Sequence, residues 1–137
     1  MGRPSFTVRR VRNVLVYVHG SSEPSDLEWE RVLSFYDEPE VARDPRTLVY
    51  TQGAAPNAAQ RARLNEKLGK RRVRIAVLTP SALARAAGTA VHWFRPEVRI
   101  FRPSETDAAI KHLEVTPDVA FELSSALREM KHEMGVG

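Results

Sequence analysis

Asn13-Val-Leu-Val-Tyr-Val-His-Gly20 holds an unbroken apolar run, Val14 to Val18, closed by a glycine. A short continuous run rich in β-branched residues reads as a strand buried on both faces. Leu48-Val49-Tyr50 and Ile75-Ala76-Val77-Leu78 repeat the pattern downstream, whereas Val98-Arg99-Ile100-Phe101 alternates, as an edge strand does. Upstream, Phe6 to Val11 reads as a further strand, turning at Arg12-Asn13 to form an antiparallel hairpin with the first buried one.

Helical patterns fill the intervals. Ser25-Asp26-Leu27-Glu28 is a capping box, followed by Trp29, Val32, Leu33 and Tyr36 on one face, with Pro39 as a stop. A second helix is expected from an Asn57 cap through Leu64 and Leu68 to Gly69, and a third from Thr79-Pro80-Ser81 towards Pro96. Ser104 opens a short helix carrying Ala109, Ile110 and Leu113. Thr116-Pro117-Asp118 starts the last helix, with Ala120, Leu123, Leu127 and Met130 as its stripe. Strand–helix–strand spacings of this length imply parallel pairing with right-handed crossovers. The expected fold is therefore α/β: a mostly parallel, mixed sheet flanked by helices, with an extra C-terminal helix. With 137 residues and no linker-like tract, the chain is expected to form one domain, its core spanning about residues 5–114 and the C-terminal helix about 116–134.

The absence of cysteine excludes disulfides, thiolate metal sites and thiol nucleophiles. The apolar run after the early arginines is too short for a secretion signal, and no segment approaches the ~20 apolar residues of a membrane span, so a cytoplasmic location is expected. Net charge is +4 but blocked. Residues 1–20 hold four arginines and no acid, residues 21–45 eight acids against two arginines, residues 46–75 eight bases against one acid, and residues 104–137 seven acids against three bases. Opposing blocks of this kind point to a partner-facing polarity more than to a uniform nucleic-acid footprint.

Three stretches together resemble a known family. They are Asn13 to Gly20 leading into Asp26-Leu-Glu-Trp-Glu30, then Gly53-Ala-Ala-Pro-Asn-Ala-Ala-Gln-Arg-Ala-Arg-Leu64, then Arg72 to Thr79 through Trp93-Phe94 to Arg99-Ile-Phe101. They resemble the STAS superfamily, specifically its small stand-alone SpoIIAA-like proteins. That resemblance implies a regulatory or scaffold module that works by binding a protein partner, without a cofactor. It also implies a phosphorylated serine at the start of the helix after the central strand. Thr51 to Ala59, the corresponding stretch, holds no serine, and Thr51 lies too early.

Ligands of open α/β sheets sit beyond the carboxyl ends of the parallel strands. Those ends carry His19, Ser21, Thr51, Gln52, Thr79 and Ser81, a polar set suited to a small anionic ligand, although caps and turns use the same residue types. The surface expected to meet a protein partner, or a second copy of the chain, is Gln52, Asn57, Gln60, Arg61 and Arg63. The enzymatic alternative is a small hydrolase or phosphate-handling enzyme using His19 with Ser21 or Thr79, but no Gly-x-Ser-x-Gly elbow is present. Four scattered histidines without paired spacing argue against metal. The basic run Lys67, Lys70, Arg71, Arg72 and Arg74 lacks interleaved aromatics, so nucleic acid is a third reading, one that predicts salt-sensitive binding through Arg71 and Arg72.

Overall fold

The computed structural model describes residues 6–53, 56–80 and 97–136. Strands β1 (Phe6–Val11) and β2 (Val14–His19) form the expected hairpin, pairing antiparallel from Phe6 opposite His19 to Val11 opposite Val14. Its two-residue loop needs a positive φ, and Arg12 supplies it at 57°. Strands β3 (Arg46–Thr51), β4 (Arg74–Leu78) and β5 (Val98–Phe101) then add in parallel, giving one five-stranded sheet in the order β1-β2-β3-β4-β5. β5 stands at the edge, as its alternation predicts. The expected third helix, from Thr79 towards Pro96, lies almost wholly outside the described residues.

Because side chains alternate across a strand, each buried strand feeds two cores. Leu15 and Tyr17, with Val49 and Ile75, face helix α1 (Asp26–Phe35), the short α2 (Pro39–Arg43) and α3 (Ala58–Leu68), through Trp29, Val32, Leu33, Val41 and Leu68. Val14, Val16 and Val18, with Leu48, Tyr50, Ala76 and Leu78, face α4 (Thr106–His112) and α5 (Pro117–Met134). The stripe Leu123, Leu127 and Met130 is thus laid on the chain's own sheet. Pro39 does more than end α1: it occupies the first turn of α2, where its missing N–H costs nothing. The turn from α4 into α5 passes through Glu114 at φ 53°, the left-handed position that follows many helices.

The charge blocks pair with one another inside the molecule. Arg9 and Arg10 are neighbours on β1 and point to opposite faces. Arg9 reaches Glu129 and Glu133 on α5, at 2.9 and 3.2 Å, while Arg10 reaches Glu38 and Glu40 at 3.2 and 3.0 Å. Arg12 donates twice to Glu122 of α5, at 2.9 and 3.0 Å, which raises the guanidinium pKa and lowers that of the carboxyl. Arg63 pairs with Glu30, Lys67 with Asp37 and Arg74 with Glu114. Individually such exposed pairs contribute little to stability. Together they give the blocks an explanation within the chain, where the sequence pointed outward to a partner.

Candidate functional site

At the carboxyl end of the sheet, β2 closes with His19 and β3 with Thr51, and Thr79 follows β4 directly. His19 shares the α1 side of β2 with Tyr17, and its ring lies 4.9 Å from Phe6 and 5.1 Å from Tyr17, both edge-on. It is 1% exposed, and neither ring nitrogen has a hydrogen-bond partner. Burial lowers its pKa to about 4, so the imidazole is neutral at ordinary pH. Ser21 is exposed, and Thr79 is buried with its backbone N–H on the Phe101 carbonyl at 3.0 Å. No nucleophile–base hydrogen bond links His19 to either hydroxyl.

The other polar strand ends are engaged in holding the backbone. Thr51 Oγ1 accepts from the Gly53 N–H at 3.2 Å, in a turn where Gly53 takes φ 123°. The Gln52 N–H donates to the His19 carbonyl at 3.3 Å, and its Nε2 donates to the Tyr50 hydroxyl at 3.2 Å. Over the Tyr50 ring, on the α5 side, lies Lys131 Nζ at 4.5 Å. Burial lowers the Lys131 pKa and raises that of Tyr50. Sequence reasoning missed Lys131, because nothing local marks a lysine that folds back over a tyrosine on a distant strand. Ser81 lies outside the described residues.

A strand-end crevice forms where successive crossovers leave on opposite faces of the sheet. Here α1, which leaves β2, and α3, which leaves β3, pack on the same face, so no such crevice lies between β2 and β3. The N-terminus of α3, expected to attract an anion, is faced instead by carboxylates of its own chain. Asn57 Nδ2 donates to Glu23 at 2.9 Å, and Gln60 Nε2 donates to Asp26 Oδ1 at 3.1 Å and to the Pro24 carbonyl at 2.9 Å.

That network corrects the expected contact surface. Gln60 is only 3% exposed: one turn before Leu64, it points inward, and its side chain completes a capping box with Asn57. The Trp29 indole N–H donates to the Gln60 carbonyl at 2.8 Å, locking α1 to α3. Asn57, Arg61 and Arg63 are exposed and Gln52 is half-buried. Arg61 donates to the Pro56 carbonyl at 2.7 Å.

Arg71, named for nucleic acid, is occupied as well. Its guanidinium donates to the carbonyls of Leu68 and Ala42, at 3.0 and 3.1 Å, and to that of Lys67, capping the C-terminus of α3. Among the described residues no cluster of His, Asp or Glu could hold a metal ion. No described helix is long and apolar enough to cross a membrane.

The architecture can now be set beside known proteins. No family model matches the chain, and no curated protein matches it. Among solved structures, it is similar to the crystal structure of an uncharacterized protein of the DUF3478 family from Shewanella loihica PV-4, described as having a SpoIIAA-like fold. The likeness covers 82% of this chain and 93% of that one, with a TM-score of 0.57 and 20% identity. The fold is SpoIIAA-like. In these terms, the hairpin, the parallel strands and the helices on both faces are the SpoIIAA-like architecture that the quoted stretches resemble, and at 20% identity the likeness speaks to fold alone.

The unpartnered His19 gives a sharp expectation. The folded imidazole titrates at about 4 and the unfolded one near 6.5. Between those values the unfolded chain binds more protons, so stability falls as pH drops through this window, by roughly 3 kcal/mol in all. Below it both states are protonated and this contribution is exhausted. His19→Leu should be at least as stable as the wild type at pH ~7 and should lose that acid-side decline. Urea midpoints at pH ~7 and ~4.5 measure it. Equal declines in both proteins would mean that other groups carry the pH dependence.

Proposed function

We propose that the chain is a non-enzymatic regulatory or scaffold module that binds a protein partner through the outer side of α3 and the loop before it. Gln52, Asn57, Arg61 and Arg63 line this surface, and Gln60 serves as its buried anchor. The observation that carries the reading is the bracing of α3. A complete capping box, the Trp29–Gln60 bond and the links to Glu23, Pro24 and Asp26 hold the first turn of a surface helix rigid. Rigidity of this kind lowers the entropy lost on association. Beside Arg61 the exposed face carries the small side chains of Ala58, Ala59 and Ala62. Any small anion that tunes binding would find Lys131 and Gln52 more hospitable than the N-terminus of α3, where two carboxylates stand.

Arg61→Glu and Ala62→Arg test the surface. Both positions are exposed, so folding should be unchanged, and affinity for a partner isolated with the wild-type chain should fall by about tenfold or more. Asn57→Ala is a poorer probe, because loss of a cap costs about 1 kcal/mol in itself. Wild-type affinity in both variants would remove α3 as the contact surface.

A further inference from the structure

On the opposite face of the sheet from α3, helices α4 and α5 leave an open depression of about 460 Å³ between them. Ile110 and Val115 line it from α4 and the following turn, and Pro117, Ala120 and Phe121 line it from α5. Phe121 is 75% exposed beside this apolar groove, although burying an aromatic ring is among the larger gains open to a side chain. On the rim stand Asp107 and Lys111, one turn apart on α4 and both exposed. Most acids of the described chain are paired, yet neither of these two makes an ion pair among the described residues.

We propose that this groove is a two-fold interface with a second copy of the chain, in which each copy's Phe121 fills the other's groove. The charges select the occupant. If α4 of one copy crosses α4 of the other in antiparallel sense, Asp107 faces the second copy's Lys111 and Lys111 faces its Asp107. One acid and one base therefore form two intermolecular pairs, the self-complementarity that a two-fold contact requires. A parallel crossing would set like charge against like. The apolar centre with a charged rim is the ordinary anatomy of a protein interface. Since α3 lies on the other side of the sheet, this interface stands or falls independently of the partner surface proposed above.

The test is sedimentation equilibrium of the full chain over a range of concentrations. The wild type should show a reversible monomer–dimer equilibrium, and Phe121→Asp should weaken it by at least about 30-fold. Asp107→Lys alone and Lys111→Asp alone should each be monomeric, and the double swap D107K/K111D should dimerise again. Mixing the two single variants should give a heterodimer, because one then carries two bases and the other two acids. All three positions are exposed, so unchanged circular dichroism is expected throughout. A wild type that stays monomeric at every concentration overturns the proposal and leaves the groove to a helix of another protein. A dimer unaffected by Phe121→Asp, or a double swap that fails to restore association, overturns it equally.

Discussion

A chain ended at Val115 is expected not to fold. The removed α5 carries Leu123, Leu127, Met130 and Met134, all buried against the face of the sheet that Val14, Val16, Val18 and Leu48 present. Burying a Leu or Met side chain is worth about 1.5–3 kcal/mol, so the four large ones represent roughly 6–12 kcal/mol gross. A domain's whole net stability is about 5–15 kcal/mol. Loss of the helix also uncovers an apolar sheet face and strips Arg9 and Arg12 of their carboxylates. Circular dichroism and urea titration of residues 1–115 check this, with the full chain as reference. Cooperative unfolding of a soluble, monomeric fragment would mean that α5 is an accessory and not half of the core.

Trp29→Ala is the single substitution with the largest expected cost, about 3–5 kcal/mol. The indole is 1% exposed, lies edge-on to Tyr17 with ring centres 6.3 Å apart, and gives its N–H to the Gln60 carbonyl. Truncation leaves a cavity beneath α1 and cuts the side-chain bond from Trp29 to the α3 backbone. Trp29→Phe separates the two effects: it keeps most of the packing, and only the hydrogen bond, about 1 kcal/mol, should be lost. Urea unfolding of the three proteins measures both steps. Should Trp29→Ala unfold within about 1 kcal/mol of the wild type, the α1–α3 contact cannot be the rigid brace proposed for the binding surface.

Much of this architecture is legible in local sequence because its signals are local. Strand β2 announces itself by an unbroken apolar run, and the hairpin by two polar residues between two valines. Helices α1, α3 and α5 start where a cap or a proline says they should. Helix α2 escapes because five residues show no periodicity, and Pro39 reads equally well as an end or a beginning. The candidate site was less legible for the same physical reason. Gln60 sits on a helix that looks exposed, and only Pro24, Asp26 and Trp29, some thirty positions earlier, turn it inward. The neighbourhood of Tyr50 depends on Lys131, which α5 delivers from much further along the chain. Blocks of charge reveal composition but not destination, so Arg9 and Arg10 gave no sign that each would serve a different side of one sheet.

The reach of those two arginines has a consequence for how the protein is made. Residue 9 binds residues 129 and 133, so β1 waits for α5, made about 120 residues later, before its contacts are complete. At about 5–20 residues per second, synthesis of the intervening stretch takes roughly 6–24 s. β1 is an edge strand of the finished sheet too, and until α5 is made Arg9 and Arg12 lack their carboxylates. Positive charge on an exposed strand edge discourages pairing with other chains. Arg9 and Arg12 thus put that positive charge on β1 and its turn before α5 is there to pair with it.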